Sequence, residues 1–143
     1  MSSEIENKYV IFKLGQEYYG LSINNVISIE KPSQTTRVPN APDYVKGVIN
    51  LRGEVIPVID LRKKLGMETK DIDRNSRIIV VSSNEIYAGL IVDTSSEVLE
   101  IDKENIDKPP TDENDEFIDY INGIGKTDNR LIILLDLIKI LEY

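Results

Sequence analysis

Hydrophobic residues occur along the chain in short runs rich in valine and isoleucine, and most runs end at glycine, asparagine, serine or proline. Runs of this length and composition are typical of β-strands rather than helices. The pattern predicts strands over residues 10–14, 18–23, 26–29, 45–52, 54–60, 77–81, 86–93 and 98–101, and a last hairpin around Asp128 and Asn129. Many short strands separated by frequent turns indicate small closed or nearly closed barrels.

A repeat divides the chain in two, because residues 44–65 return without a gap as residues 120–141. The identical pairs are Tyr44 and Tyr120, Gly47 and Gly123, Ile56 and Ile132, Asp60 and Asp136, Leu61 and Leu137, Lys63 and Lys139, and Leu65 and Leu141. A fainter echo relates Tyr18, Gly20, Leu21 and Ile23 to Tyr87, Gly89, Leu90 and Val92. The repeat predicts two related halves, 8–66 and 77–143. At about 60 to 70 residues, each half is near the lower limit for burying a core of its own, so the two should pack together.

Two short helices are predicted at equivalent positions of the repeat. Asp60 and Asp136 each precede a short amphipathic run, so we expect them to cap helices over 61–65 and 137–141. Gly66 should close the first helix. The same two carboxylates could instead serve a hydrolase, which is the alternative function class, although helix capping explains both of them.

Prolines mark segments that should not form regular sheet. Pro57 lacks a backbone N–H, so it is expected at a sheet edge or a bulge. Residues 31–43 and 103–119 combine prolines with mostly polar residues, and this composition predicts loops. The two loops occupy corresponding positions in the two halves.

The composition excludes several classes of function. With 41% hydrophobic residues, 6% aromatic residues and no tryptophan, the core should be aliphatic. Histidine and cysteine are absent, so the commonest general base and the usual zinc ligands are missing. We therefore predict no enzyme, cofactor or metal site. The net charge of −8 argues against binding to nucleic acid or to anionic membranes. The longest apolar run, Leu131–Leu135, is too short for membrane insertion, and we expect a soluble cytoplasmic protein.

Two short motifs resemble known ligand sites but match them poorly. Residues 123–127, GIGKT, end like a phosphate-binding loop, yet the first glycine is missing and a hairpin should follow. Asp112, Asn114 and Glu116 alternate like the start of a calcium loop. Phe117 stands where the sharp turn of that loop needs glycine, so a solvated acidic loop is the better interpretation.

The hairpin tips of the two repeat copies differ in chemistry. Arg52 and Gly53 in the first copy are replaced by Asp128 and Asn129 in the second. Asp-Asn is ordinary turn chemistry, whereas an arginine flanked by apolar strands can make a directional contact with a partner. We interpret Arg52 as a candidate binding residue, with a solvated turn arginine as the alternative.

The segment 47–66, GVINLRGEVIPVIDLRKKLG, resembles the CheW family of bacterial chemotaxis coupling proteins. The residues that match the family motif are Lys46, Gly47, Val48, Asn50, Leu51, Arg52, Gly53, Pro57, Asp60, Leu61 and Arg62. The segments 12–26, 37–47 and 87–101 also resemble the opening hairpin, the proline-containing loop and the mid-chain strands of that family. The resemblance therefore covers nearly the whole chain.

This resemblance implies a mainly β fold, with two intertwined five-stranded SH3-like barrels packed around a shared aliphatic core. It also implies a non-enzymatic adaptor that couples the histidine kinase CheA to the cytoplasmic tips of methyl-accepting chemotaxis receptors. Carried over by position, the implied receptor or kinase contacts are Val26, Ile29, Val45, Gly47, Arg52, Gly53 and Val98. Ile86 and Leu90 are candidates for a further kinase contact.

One position departs from the family pattern. Where many members carry glutamate, this chain has Ser28, so Arg52 has no carboxylate partner at that position. Glu30 and Glu54 are the acidic residues that could substitute for it.

Overall fold

The structure is a computed structural model, and it describes residues 7–110 and 115–142, apart from the side chain of Ser96. The strands are β1 Lys8–Leu14, β2 Glu17–Ser22, β3 Val26–Glu30, β4 Val45–Leu51, β5 Glu54–Asp60, β6 Arg77–Ser83, β7 Ile86–Val92, β8 Thr94–Glu100, β9 Ile106–Asp107, β10 Ile121–Lys126 and β11 Leu131–Leu135. The α-helices are α1 Leu61–Lys64 and α2 Leu137–Ile140, and 3₁₀ helices span Ile23–Asn25, Lys103–Asn105 and Glu116–Tyr120.

The strands form two sheets, each the wall of a small barrel. The six-stranded sheet has the order β8-β1-β2-β11-β10-β9, and the five-stranded sheet has the order β3-β6-β7-β5-β4. The prediction of a mainly β fold with two SH3-like barrels is therefore confirmed. The sixth strand is the short β9, which pairs with β10. β9 lies within residues 103–119, whose polar residues and prolines predicted an irregular loop.

Each barrel takes strands from both halves of the sequence. β1 and β2 pair with strands of the second half, and β6 and β7 pair with strands of the first. The exchange occurs because β2 runs parallel to β11 and β7 runs parallel to β5, so each opening hairpin completes the sheet of the other half. The halves 8–66 and 77–143 therefore do not coincide with the two barrels, and the arrangement is the intertwined one that the resemblance implied.

The two barrels repeat each other in register as well as in order. β4 and β5 contain a register shift between Val45 and Gly47, and β10 and β11 contain the same shift between Ile121 and Gly123. The pairing of β3 with β6 shifts register between Val26 and Ser28. The pairing of β8 with β1 shifts register at the corresponding place. Equivalent positions in the two barrels can therefore be compared residue by residue.

The helix caps form as predicted. The side chain of Asp60 accepts a hydrogen bond from the backbone N–H of Lys63 at 3.3 Å, and Asp136 accepts one from Lys139 at 3.3 Å. Each helix is one residue shorter than expected. Gly66 follows α1 with φ +80°, a left-handed conformation that glycine adopts at helix ends at little cost.

Pro57 is not at a sheet edge, since β5 lies between β7 and β4. Proline is tolerated there because parallel pairing with β7 begins only at the next residue, Val58. The register shift in β4 also lies opposite Val58 and Ile59. Pro57 therefore lies next to a bulge, whereas the sequence predicted either a sheet edge or a bulge.

An aliphatic core lies between the barrels, as predicted. It contains buried residues of both sheets and both α-helices, among them Leu21, Ile59, Val81 and Ile140. Smaller clusters fill each barrel from within, around Ile56 and Val80 in one and around Ile11 and Ile132 in the other. The two barrels thus share one core and hold each other in place.

Candidate protein-binding site

The β4–β5 hairpin holds an arginine in an unfavourable backbone conformation. Leu51 pairs with Glu54, so Arg52 and Gly53 form a two-residue turn with φ +54° and +89°. Positive φ at both positions is the requirement of a type I′ turn, which normally selects Asn-Gly or Gly-Gly. The side chain of Asn50 accepts a hydrogen bond from the N–H of Gly53 at 3.0 Å and fixes the turn. A residue held in a costly conformation is a candidate for function.

Arg52 lies at the rim of a cavity of about 280 Å³, which we call the barrel mouth. All strands of the five-stranded sheet contribute to it, through Ile27, Leu51, Arg52, Glu54, Ile56, Val80 and Tyr87. Ile56 and Val80 form the floor, because both belong to the cluster that fills this barrel. The mouth thus combines an apolar floor with an aromatic ring and one charge of each sign.

The other predicted contacts are divided between the two barrels. Val26 and Ile29 lie on β3, the strand that also contains Ile27 of the barrel mouth. Ile29 is 43% exposed. Val45 lies on the edge strand β4 and is partly buried. Val98 is 50% exposed, but it lies on β8, the edge strand of the other sheet. Val98 and Ile29 pair with equivalent residues of β1 and β6, so they mark the same place on the two barrels.

Gly47 has a structural role. Thr36 and Val48 exchange backbone hydrogen bonds of 2.9 and 2.8 Å, which brings the proline-containing loop onto β4. Gly47 is buried beside this bridge, and a Cβ there would overlap the carbonyl of Thr36. Gly47 therefore has a packing role, and the partner contact that the resemblance implied for it stays a prediction. Gly123 repeats the arrangement, with its Cβ position 3.2 Å from the carbonyl oxygen of Asp107.

The two candidates for a further kinase contact are separated by burial. Leu90 is 0% exposed and belongs to the shared core, so it cannot touch a partner and that prediction is wrong. Ile86, on the same strand, is 45% exposed. It lines a cavity of about 340 Å³ together with Ile138 and Leu141.

Ser28 leaves a polar atom without a partner. Its Oγ is buried and has no hydrogen-bond partner within the described residues. The equivalent residue in the other barrel is Glu97, since Ser28 faces Val80 on β6 as Glu97 faces Ile11 on β1. Glu97 forms an ion pair with Arg130. In the part of the chain that the structure covers, neither Glu30 nor Glu54 replaces the missing carboxylate, because no ion pair to Arg52 is formed.

Sequence reasoning missed the ion pair that Arg62 of the motif makes. Its Nε donates to Asp93 Oδ1 at 2.9 Å, and Asp93 Oδ2 also accepts from the N–H of Gly15 at 2.7 Å. Burial opposes ionisation of Asp93, but the hydrogen bonds from Arg62 and Gly15 outweigh it and lower the pKa of that carboxyl. The bond to Asp93 correspondingly raises the pKa of Arg62. The pair joins α1 to the connection between β7 and β8, and the hydrogen bond from Gly15 ties the β1–β2 turn to the same carboxylate. No local sequence signal identifies Asp93.

Within the described residues, the capping carboxylates and the phosphate-loop motif do not form ligand sites. The carboxylates of Asp60 and Asp136 accept hydrogen bonds from their own helices, which favours capping over a hydrolase. Residues 123–126 lie within strand β10, and a second strand follows it rather than the helix that a phosphate loop requires. Asp112 and Asn114 lie outside the described residues, and Glu116 begins a 3₁₀ helix.

Two wider features of the described residues bear on the class of protein. They contain no helix that is long and apolar enough to cross a membrane. They also contain no cluster of three acidic, histidine or cysteine side chains that could hold a metal ion. What they do offer is the mouth, with its apolar floor, aromatic ring and two charged residues.

A family model described as a CheW-like domain matches residues 8–143. The chain belongs to the CheW family. The resemblance carried by the motif around Arg52 is therefore confirmed.

Relatives and a solved structure support this assignment. The chain is 37% identical to the chemotaxis protein CheW of Bacillus subtilis over 99% of this chain and 92% of that protein. It is also 37% identical to the chemotaxis protein CheW of Klebsiella aerogenes, over 96% and 83% of the two chains. The crystal structure of the scaffolding protein TtCheW from Thermoanaerobacter tengcongensis superposes with a TM-score of 0.88 and 40% identity, over 96% of this chain and 93% of that one. The chain is thus a CheW-type chemotaxis scaffold protein by family.

Proposed function

We propose that this protein is a non-catalytic adaptor that couples the histidine kinase CheA to the cytoplasmic tips of methyl-accepting chemotaxis receptors. Membership of the CheW family supports the class of function. The observation that carries the proposal is Arg52, which stands in a left-handed conformation at the rim of the apolar barrel mouth. The chain retains an arginine at a position where a smaller turn residue would be more stable.

The chemistry of this surface suits a protein segment. Ile27 and Ile29 on β3 are 49% and 43% exposed, and they provide apolar contact area beside the mouth. Receptor tips are helical, and an amphipathic helix binds by placing its apolar face against such a surface while a few polar groups set its register. Arg52, supported by Gly53, would supply that polar contact. Val26 and Val45 are neighbouring positions of the same surface. Val98 is exposed on the other barrel, at the position equivalent to Ile29.

For the kinase we propose a second surface at Ile86. Ile86 and Ile138 are 45% and 57% exposed, and they line one groove with Leu141. A related barrel of CheA could pack its own apolar residues into this groove. Ile86→Asp should then weaken kinase association but leave receptor association unchanged, and the opposite pattern would argue against this division.

Co-sedimentation with receptor-containing membranes and CheA tests the proposed function. We expect wild-type protein to bring the kinase to the membranes. Arg52→Ala should weaken coupling by about thirtyfold, because a central arginine of an interface is typically worth about 2 kcal/mol. Arg74→Ala is the matched control, since Arg74 is an exposed arginine in a turn away from the mouth. The proposal fails if wild-type protein recruits no kinase, and the site fails if both variants couple equally well.

A further inference from the structure

The two barrel mouths carry tyrosines at equivalent positions with very different surroundings. Tyr18 on β2 lies opposite Lys13 of β1, and Tyr87 on β7 lies opposite Ser82 of β6. The two strands also pair in the same parallel register with β11 and β5, where Gly20 faces Leu134 and Gly89 faces Val58. The six-stranded barrel can therefore serve as an internal reference for the five-stranded one.

The mouth of the six-stranded barrel is filled by the chain's own cations. The guanidinium of Arg130 lies 4.6 Å from the ring centre of Tyr18, and Lys13 Nζ lies 5.2 Å from it. Arg130 is held in place by its ion pair with Glu97. These groups surround a cavity of only about 150 Å³. An arginine stacked on a tyrosine and paired with a glutamate thus completes this barrel.

The five-stranded barrel has replaced every member of that arrangement except the ring. At the equivalent positions, Ser82 is found instead of Lys13, Ser28 instead of Glu97, and Glu54 instead of Arg130. Tyr87 is 42% exposed, and within residues 7–110 and 115–142 no cation lies over its ring. Glu54 forms no ion pair with any described residue, and it lines the same cavity of about 280 Å³ as Tyr87. A ring and a carboxylate thus face one larger space. Arg52 lines the same cavity, but within the described residues it neither lies over the ring of Tyr87 nor pairs with Glu54.

We propose that the mouth of the five-stranded barrel receives an arginine side chain from a partner protein. The guanidinium would stack on Tyr87 and pair with Glu54, taking the place that Arg130 occupies in the other barrel. The apolar floor formed by Ile56 and Val80 would accept a hydrophobic residue next to that arginine. The inference deepens the proposed function, on which it rests, by stating which chemistry a partner must present at the mouth.

A blocked amino acid is a suitable probe, since it requires no kinase or receptor. Titration of ¹⁵N-labelled full-length protein with N-acetyl-arginine amide should shift the backbone amide signals of Glu54 and Tyr87. N-acetyl-citrulline amide has nearly the same shape without the charge, and it should leave them in place. Tyr87→Leu and Glu54→Gln should each raise the Kd of the arginine probe by about fivefold or more. Glu85→Gln, which removes an exposed carboxylate in the adjacent turn, should leave the Kd unchanged.

Several results would overturn the inference. Equal shifts from the two probes, or an unchanged Kd in both mouth variants, would mean that no cation site exists. Binding in Arg52→Ala but not in wild type would mean that Arg52 itself covers the ring. Concentration-dependent self-association that is lost in Tyr87→Leu would make a second copy of this chain the occupant.

Co-sedimentation separates this inference from the proposed function. If the site receives a partner's arginine, Tyr87→Leu and Glu54→Gln should reduce the amount of kinase or receptor retained. If wild-type protein couples and both variants retain as much kinase and receptor as wild type, the arginine site is refuted and the adaptor function stands. If wild-type protein fails to couple but binds the arginine probe specifically, the adaptor function is refuted and the arginine site stands.

Discussion

Replacing Arg52 with asparagine should make the protein more stable and less able to couple. Arg52 has φ +54° and is followed by Gly53 at +89°. A left-handed conformation costs an ordinary residue about 1 kcal/mol or more, whereas asparagine tolerates it and Asn-Gly is a preferred type I′ pair. The arginine side chain is exposed and makes no ion pair among the described residues, so little is lost when it is removed. The free energy of unfolding should therefore rise by about 1 kcal/mol, which corresponds to about 2 to 4 °C in Tm.

Urea denaturation followed by far-UV circular dichroism measures this change, because the chain has no tryptophan to report on unfolding. The midpoint should rise with an unchanged m-value. Arg74→Asn is the control, since Arg74 is exposed and does not have positive φ, and its effect should stay within about 0.5 kcal/mol. Equal or lower stability of Arg52→Asn would refute the argument from backbone strain. Higher stability with undiminished coupling would show that the guanidinium is not the reason for retaining arginine.

Three further predictions concern residues that support the site. Gly47→Ala should lower the free energy of unfolding by about 2 kcal/mol or more, because its Cβ would overlap the rigid carbonyl of Thr36; an unchanged urea midpoint would contradict this. Ser28→Ala should raise it by about 1 kcal/mol, since it removes a buried hydroxyl that has no hydrogen-bond partner in residues 7–110 and 115–142, and a loss of stability would indicate a hydrogen bond there. The pKa of Asp93 lies below its ordinary value of 3.8, so its pair with Arg62 stabilises the fold fully above that value and loses its effect as pH falls through the lowered pKa. Asp93→Asn should accordingly be less stable than wild type near pH 7 and approach it in acid, and a difference independent of pH would refute this assignment.

Local signals predicted most of the secondary structure because they depend on neighbouring residues alone. The caps by Asp60 and Asp136 need only a short side chain three residues before a free backbone N–H. The hairpins need only a turn between two apolar runs, and the strands on both sides of Arg52 formed as expected. The repeat also predicted that both copies would fold alike, and their matching register shifts confirm it.

Residues whose role depends on distant contacts could not be assigned correctly. Leu90 and Ile86 lie on one strand and are both apolar, yet only the packing of the two sheets decides that Leu90 is 0% exposed and Ile86 45%. Asp93 becomes important only because β7 and β8 bring it to Arg62, far away in the sequence. In the same way, Tyr87 draws attention only when the register of its strand places it opposite Ser82, as Tyr18 lies opposite Lys13.

The sequence by itself determined that this chain has two copies of one β-rich unit, where their turns and caps lie, and that Arg52 distinguishes the two tips. Only the tertiary structure decided which strands share a barrel. The opening hairpin of each half could pair within its own half or across to the other, and the hydrophobic pattern is the same in both cases. Pairing across buries one aliphatic core between the barrels, and this favours it because each half alone is near the lower limit for burying a core of its own. That exchange places Tyr87 of the second half beside Arg52 and Glu54 of the first, and so creates the barrel mouth.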